Sequence, residues 1–129
     1  MSKTIKKYDE KGNLIYREYS SSRKYWWEYD ENNNKIHFKG SKGFEYWQEF
    51  DENNNRIHFK NSDGLEKWYK YDENNNCIYF KGSDGYECWY KYDENNESID
   101  ITQQEFKQIE RTRLYLNMKR NNRFELIDI

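Results

Sequence analysis

Residues 50–70, FDENNNRIHFKNSDGLEKWYK, contain the pattern from which the fold of the chain is predicted. Two runs rich in aromatic and branched residues, 56–60 and 65–70, alternate with segments of Asp, Asn, Ser and Gly. The first kind of run favours extended strands, and the second kind favours tight turns. Because two strands joined by a short turn form a β-hairpin, this stretch predicts one hairpin and the turn that leads into it.

The hairpin pattern recurs every 21 residues along most of the chain. An aromatic–Asp–Glu triplet begins at Tyr8, Tyr29, Phe50, Tyr71 and Tyr92. Self-similarity at a fixed step identifies a repeat protein in which each unit packs against its neighbours. The sequence therefore predicts a mainly β protein, an antiparallel meander of tandem 21-residue β-hairpin repeats over residues 1–101.

The turn residues predict a particular backbone conformation. Gly43, Gly64 and Gly85 stand where a three-residue hairpin loop needs a left-handed residue. In the other turn this position is held by Gly12 in the first repeat and by Asn33, Asn54, Asn75 and Asn96 in the later ones. Because Gly and Asn tolerate positive φ, the exchange predicts a left-handed conformation at all of these positions.

Charged residues predict the strand register. A three-residue loop places Lys60 opposite Glu66, and the corresponding pair in the first repeat is Glu18 and Lys24, with the charges exchanged. Opposite charges that face each other across strands stabilise a sheet. Since side chains alternate between faces, this register groups the lysine–glutamate pairs with the histidines and most tryptophans. We expect the opposite face, which is aromatic and aliphatic, to form the core.

Residues 102–129 differ from the repeats. Thr102 and Glu105 form a capping-box pattern, and Phe106, Ile109 and Leu116 follow at helical spacing. We expect one C-terminal α-helix at about 102–119 and a short strand at 124–129. This second segment, 102–129, is predicted to pack on the hairpin sheet or to cap it.

Composition and charge narrow the class of protein. The chain has 129 residues, with 22 Lys and Arg against 24 Asp and Glu. This balance gives no strong electrostatic field that favours nucleic acid. The first residues lack the apolar core of a signal peptide, and no stretch approaches the ~20 apolar residues of a membrane span. We therefore expect a cytoplasmic protein, and the abundance of Lys, Asn, Ile, Tyr and Phe indicates an AT-rich bacterial or phage genome.

The segment YDEKGNLI at residues 8–15 resembles the tyrosine–aspartate (YD) repeats of bacterial Rhs-type proteins. Later copies, such as residues 71–76, keep the Tyr-Asp pair and lose the Gly, and the resemblance covers roughly residues 8–101. In those large proteins similar repeats form coiled β-sheet shells. The resemblance implies a hairpin array, and it carries no catalytic residues to this chain.

Several groups have the composition of a metal, disulfide or catalytic site without the required arrangement. DENNN at residues 30–34 resembles the start of a calcium loop but lacks the Gly and the final Glu, so turn formation explains it better. His37 and His58 share a repeat position and are expected to lie too far apart to share one zinc ion. Cys77 and Cys88 are predicted on opposite faces of the sheet, so we expect two free thiols and no disulfide between them. We expect no enzyme, metal or cofactor.

The tryptophans are the strongest candidate for a binding site. Trp26, Trp47, Trp68 and Trp89 share one repeat position, flanked by His37, His58, Tyr79, Lys39, Lys60 and Lys81. A strand spacing of ~4.8 Å predicts about 9–10 Å between neighbouring tryptophans. Such a row can anchor a protein or stack sugars or bases. Alternatively, each tryptophan only packs over its cross-strand neighbour.

The predicted dimensions favour a binding role. Ten strands at ~4.8 Å span about 45 Å, whereas a helix of about 17 residues is only ~25 Å long. One helix cannot cover the whole aromatic face. Either the sheet coils to bury it, or a homodimer forms through this face or a sheet edge, or another protein covers it.

The leading hypothesis is a non-enzymatic protein–protein binding module, a small inhibitor of a larger bacterial protein of the anti-CRISPR or toxin-immunity type. The alternative is a carbohydrate-binding module that uses the tryptophan row. Single-stranded nucleic-acid binding ranks third, because paired glutamates neutralise many of the lysines that contact phosphates in such proteins. The expected partner is thus another protein, and neither a nucleic acid nor a membrane.

Overall fold

A computed structural model describes residues 3–121 of the chain. The strands are β1 (Ile5–Tyr8), β2 (Leu14–Glu18), β3 (Lys24–Tyr29), β4 (Lys35–Gly40), β5 (Glu45–Phe50), β6 (Arg56–Asn61), β7 (Glu66–Tyr71), β8 (Cys77–Gly82), β9 (Glu87–Tyr92) and β10 (Ser98–Ile101), followed by helix α1 (Gln103–Arg120). The sheet order of the ten strands is their order in the chain. The predicted antiparallel meander with one C-terminal helix is confirmed.

The chain divides into two compact units. The first, Met1–Glu87, contains β1–β8, and the second, Cys88–Ile129, contains β9 beyond its first residue, β10 and α1. The division predicted at residue 101 and the packing of the helix on the sheet stay predictions. The strand predicted at 124–129 lies outside the described residues.

The second unit begins its helix as the capping pattern predicts. The Thr102 hydroxyl oxygen accepts a hydrogen bond of 3.1 Å from the backbone N–H of Glu105. The Glu105 carboxylate forms an ion pair of 2.9 Å with Lys91 of β9. Helix α1 carries no buried side chain. Within residues 3–121, no helix has both the length and the apolar character that crossing a bilayer requires.

The predicted register is confirmed in the first unit. Lys60 lies opposite Glu66, and Glu18 lies opposite Lys24 with an ion pair of 3.7 Å. The left-handed turn residues are also confirmed, with φ near 65° at Asn33, Asn54 and Asn75 and between 88° and 104° at Gly12, Gly43, Gly64 and Gly85. Ser22, which stands where later repeats have glycine, adopts φ 70°. The turn is therefore imposed by the hairpin even without Gly, at a cost of roughly 1–2 kcal/mol.

The aspartate turns connect successive repeats through side chains. Asp51 Oδ1 accepts hydrogen bonds of 2.9 Å from the backbone N–H groups of Asn53 and Asn55. The Asn55 amide then donates to Asn75 Oδ1 of the next repeat at 2.8 Å. The same amide link joins Asn13 to Asn33 and Asn34 to Asn54. Asparagine therefore both adopts the turn conformation and ties one repeat to the next.

The serine turns connect repeats at the opposite ends of the strands. Ser62 donates its N–H to the Glu45 carbonyl at 2.8 Å, and its hydroxyl oxygen accepts from the Glu45 N–H at 2.9 Å. Ser41 binds Lys24 and Ser83 binds Glu66 in the same way. Since each of these loops satisfies the backbone of the preceding repeat, both ends of the hairpins are fixed.

The aromatic face is only half buried. Among residues 3–121, Ile78 is the one buried hydrophobic residue, whereas Phe44, Leu65 and Tyr86 are 42%, 40% and 61% exposed. Within residues 3–121 the hydrophobic residues of the expected core face are therefore buried only at Ile78, and what covers the rest of the face stays open as the sequence left it. A sheet face is buried only where a second layer packs on it, and these three side chains keep a large exposed fraction in the described part of the chain.

Candidate functional site

The tryptophan face is the sheet surface of the first unit that carries Trp26, Trp47 and Trp68. Its side chains form tracks, which we define as rows of residues that lie directly opposite one another on consecutive strands. The central track contains Glu28, His37, Trp47, Lys60 and Glu66 on β3 to β7. The order along the track is thus acid, histidine, tryptophan, lysine, acid.

Neighbouring tracks repeat this order with defined changes. The next track contains Glu49, His58, Trp68 and Lys81. The preceding track contains Lys7, Tyr16, Trp26, Lys39 and Glu45. Each tryptophan therefore stands between an aromatic or imidazole ring on one side and a lysine on the other.

Successive tryptophans are offset along the strands. Trp26 faces Lys39 of β4, whereas Trp47 faces His37, two residues away on the same strand. With ~3.3 Å per residue and ~4.8 Å between strands, neighbouring tryptophan Cα atoms lie roughly 12 Å apart. This separation exceeds the distance expected from strand spacing alone, and the row runs obliquely across the sheet.

Each of these tryptophans packs against a ring of the adjacent strand. The ring centroids of Trp47 and His37 lie 5.5 Å apart at an interplanar angle of 14°, and those of Trp68 and His58 lie 5.6 Å apart. Trp26 packs on Tyr16 at 5.7 Å. Trp26 and Trp47 nevertheless remain 39% exposed. Cross-strand packing thus orients the indoles and leaves part of each surface open to a partner.

His37 lies between two carboxylates. Its Nδ1 is 2.8 Å from Glu28 Oε1, and its Nε2 is 2.6 Å from Glu45 Oε2. A neutral imidazole has one N–H and can donate to only one of these oxygens, whereas the imidazolium donates to both. Burial opposes the positive charge, but the hydrogen bonds and charges of Glu28 and Glu45 prevail and raise the pKa of His37 above its ordinary value. The geometry therefore favours the charged ring.

His58 has the same pair of neighbours one repeat later. Its Nε2 lies 2.7 Å from Glu66, and its Nδ1 lies 3.3 Å from Glu49. Because Glu45 and Glu66 bind the histidines, the lysines predicted to pair with them, Lys39 and Lys60, are opposite but not bonded. Neither lysine forms an ion pair with any residue of 3–121. They add positive charge beside Trp26 and Trp47.

Tyrosine replaces histidine where the neighbouring strand carries lysine. The Tyr79 hydroxyl donates to Glu87 at 2.7 Å, and Lys70 Nζ lies 5.3 Å from the Tyr79 ring centroid. Burial and Glu87 raise the pKa of Tyr79 to about 12, so the phenol stays neutral at physiological pH. Tyr16 has Lys7 at 5.2 Å in the same arrangement. At this position of the track, tyrosine therefore lies opposite a lysine, and histidine lies opposite a glutamate.

The remaining candidates are placed as follows. Trp89 belongs to the second unit, where it lies opposite Ile101. Lys81 Nζ lies 5.7 Å from the Trp68 ring centroid. No disulfide joins Cys77 and Cys88. Residues 3–121 contain no cluster of three or more His, Cys, Asp or Glu that could hold a metal ion.

Three functional candidates escaped the sequence reasoning. Arg17, Arg23 and Trp27 come together on the aromatic face of the first repeat. The repeat alignment contained a signal for them, because both arginines stand where the second repeat has Phe38 and Phe44. A charged residue at a position that is otherwise apolar marks a departure from the structural requirement of the repeat.

Comparison with known structures confirms the fold-level resemblance to YD repeats. The chain matches a pore-state structure of the Photorhabdus luminescens Tc holotoxin with a TM-score of 0.58 and 16% identity over 74% of this chain and 5% of that chain. It also matches a TcdB2–TccC3 crystal structure with a TM-score of 0.57 and 16% identity, again over 74% of this chain and 5% of that chain. Those toxin chains contain Rhs-type repeat shells.

The similarity defines the class of fold, a tandem β-hairpin array of the YD type. At 16% identity it shows the fold alone, and this chain spans only 5% of the length of the toxin chains that it matches. No protein-family model and no curated protein matches the sequence.

Proposed function

We propose that this chain is a non-enzymatic module that binds another protein through its tryptophan face. The observation that carries the proposal is the 39% exposure of Trp26 and Trp47, each directly opposite a lysine without an ion pair. Tryptophan is enriched among the residues that contribute most to protein–protein affinity. Exposed apolar surface on a folded protein commonly marks an interaction site.

The tracks also reduce the entropic cost of binding. The Trp47 indole is stacked on His37, which two glutamates hold in turn. A side chain that is already immobilised loses less conformational freedom when a partner covers it. The tryptophan face is therefore a set of oriented aromatic anchors with adjacent positive charge, which suits a partner surface that combines apolar and acidic groups.

More specifically, we propose that the chain inhibits a larger bacterial protein and is of the anti-CRISPR or toxin-immunity type. An inhibitor of this kind acts by occupying a surface of its target and needs no chemistry of its own. The solved structures that share the fold belong to Tc toxin assemblies, which supports a partner among toxin-related proteins.

The test is capture from a bacterial extract with variants matched on the two sheet faces. Trp26→Ser with Trp47→Ser removes the anchors, and Phe44→Ser with Leu65→Ser removes exposed apolar surface from the opposite face. We expect the wild type and the Phe44/Leu65 variant to retain one partner in a stoichiometric complex, measured by light scattering, and the tryptophan variant to lose it. If only the Phe44/Leu65 variant loses the partner, the assignment of the face is wrong.

A second stage tests the inhibitor form. The captured protein, once purified, is assayed with increasing amounts of this chain. We expect its activity to fall with an end point at equimolar concentration. An unchanged activity in a stable complex contradicts inhibition while leaving protein binding intact. Binding to immobilised glycans without any protein partner contradicts the protein-binding proposal itself.

A further inference from the structure

The first repeat and β4 form a pocket on the aromatic face, opposite the tryptophan face. Arg17, Tyr19, Arg23, Tyr25, Trp27 and Phe38 line a volume of about 340 Å³. All six residues belong to the first unit. The volume lies at the small end of the range for ligand sites and suits one ring with a single substituent.

The two arginines in the pocket lack anionic partners. Neither Arg17 nor Arg23 forms an ion pair within the part of the chain that the structure describes, residues 3–121. Arg23 Nε donates to the Ser21 hydroxyl at 3.3 Å, whereas Arg17 Nε is buried without a hydrogen-bond acceptor. A buried donor on a charged group is costly when it remains unsatisfied.

Tyr19 orients both guanidinium groups. The Arg17 and Arg23 guanidinium carbons lie 5.2 Å and 5.7 Å from the Tyr19 ring centroid. Tyr19 is itself held edge-on against Tyr25 at 5.9 Å and 87°. The planar fork of an arginine matches the paired oxygens of a carboxylate or phosphate. The arrangement therefore holds two arginines against one tyrosine ring in the lining of the pocket.

The rest of the pocket is an aromatic wall. Tyr25 stacks on Phe38 at 5.8 Å and 21°, and Trp27 contacts both, at 6.1 Å from Tyr25 and 5.6 Å from Phe38. Such a wall favours contact with another flat ring. The pocket thus combines an anion-binding part with a ring-binding part.

The later repeats show that the arginines are not needed for the fold. Phe38 and Phe44 occupy in the second repeat the positions that Arg17 and Arg23 occupy in the first, on the same backbone. The charges therefore have no role that every repeat shares. Their location beside an aromatic wall points to a ligand.

We infer that this pocket binds an oxyanion, a carboxylate or phosphate monoester, attached to an aromatic ring. Arg17 and Arg23 bind the oxygens, and Tyr25, Trp27 and Phe38 pack against the ring. Such a group can come from a free small molecule or from a modified side chain of another protein. The inference goes beyond the proposed function, because the pocket lies on the opposite face from the tryptophans.

Calorimetric titration of the full chain with phenyl phosphate, benzoate, phenol and inorganic phosphate tests the pocket. We expect phenyl phosphate or benzoate to bind at least tenfold more tightly than phenol and inorganic phosphate. Affinity for phenol equal to that of both ring-bearing anions overturns the inference. Capped phosphotyrosine then distinguishes the sources: affinity at least equal to that of phenyl phosphate indicates a modified side chain of another protein, and a loss of binding relative to phenyl phosphate indicates a free small molecule.

The matched variant Arg17→Phe with Arg23→Phe introduces the residues of the second repeat, and we expect it to fold and to lose at least tenfold in affinity. Lys39→Gln with Lys60→Gln removes the same charge from the opposite face and should leave affinity unchanged. An equal loss in both variants indicates unspecific attraction and contradicts the site. Trp27→Gln introduces the residue that the second repeat has at this position, Gln48. It should lower the affinity for phenyl phosphate at least threefold and leave the affinity for inorganic phosphate unchanged. A loss of affinity for inorganic phosphate alone contradicts the ring-binding wall.

Discussion

The first and second repeats have the same turns but different side-chain chemistry on both faces. Asp9 and Asp30 each accept two backbone hydrogen bonds in the same turn. On the strands, however, the first repeat has Tyr16, Arg17 and Arg23 where the second has His37, Phe38 and Phe44. The comparison teaches that the turn residues specify the backbone, which leaves the strand positions free to carry function.

The electrostatics of the turns explain why the aspartates recur. The hydrogen bond from the Asn13 backbone lowers the pKa of Asp9 below its ordinary value. Burial opposes ionisation of Asp30, but hydrogen bonds from Asn34 and Asn32 outweigh it and lower the pKa of that carboxyl as well. Both turns thus stabilise the ionised aspartate, and the ionised aspartate stabilises the turns.

The largest expected effect concerns unequal burial among repeats. Ile78 of the fourth repeat is buried, whereas Ile15 at the same position of the first repeat is half-buried. We expect Ile78→Ala to lower the free energy of unfolding by about 2–4 kcal/mol, and Ile15→Ala to lower it by about half as much. Chemical denaturation measures both. Equal losses would show that the two repeats contribute alike despite their different burial.

The next effect tests the shared turn. Asp30→Ala removes the acceptor of two backbone N–H groups and should cost about 1–2 kcal/mol of unfolding free energy. Glu31→Ala, an exposed neighbour in the same turn, should change it by less than about 0.5 kcal/mol. Asp9→Ala should destabilise in the same direction as Asp30→Ala. If Asp30→Ala lowered the unfolding free energy and Asp9→Ala did not, the two turns would not be equivalent.

Much of this fold could be predicted because its determinants are local. The 21-residue step, the Gly–Asn exchange and the Glu18–Lys24 reversal specify strands, turns and register before any long-range contact is considered. The burial of the aromatic face could not be predicted in this way, since it depends on whether another layer covers the sheet. Phe44 reads as a core residue from alternation alone, yet it is 42% exposed.

The residues that share the tryptophan face could be predicted from the sequence, but the hydrogen bonds between their side chains could not. The sequence placed His37, Trp47 and Lys60 on one face, and the structure confirms that they share a track. It could not show that Glu45 binds His37 instead of Lys39, because both pairings satisfy the same alternation and differ only in side-chain rotamers. Arg17 and Arg23 could not be predicted from the repeat pattern, because they depart from the apolar residues that the later repeats have at these positions.

A smaller effect is the response of the second repeat to pH. The pKa of His37 is raised in the folded protein. The stabilisation that protonated His37 contributes is therefore fully present below the pKa of the unfolded state, about 6.5, and is lost as pH rises through the folded pKa. The lowered pKa of Asp30 acts in the opposite sense: its contribution is present above about 4 and is lost as pH falls through the folded pKa. We expect thermal stability to be highest between these limits. His37→Gln should remove much of the decline above neutral pH, and an unchanged decline would exclude His37 as its source.

The smallest effect comes from exchanging the residue pair that distinguishes the two repeats. His37→Tyr leaves Glu28 without its imidazole partner, and Glu28→Lys places a cation beside the His37 ring. Each should cost about 0.5–1 kcal/mol of unfolding free energy, the scale of a partly exposed ion pair. The double variant recreates the Tyr16–Lys7 arrangement, so it should recover part of that loss, with a coupling energy of about 0.5 kcal/mol in a double-mutant cycle measured by denaturation. If the losses of the two single variants simply add in the double variant, the residues at positions 28 and 37 do not interact energetically. A favourable coupling would show that each repeat selects its residues as interacting pairs, on a backbone that accepts either.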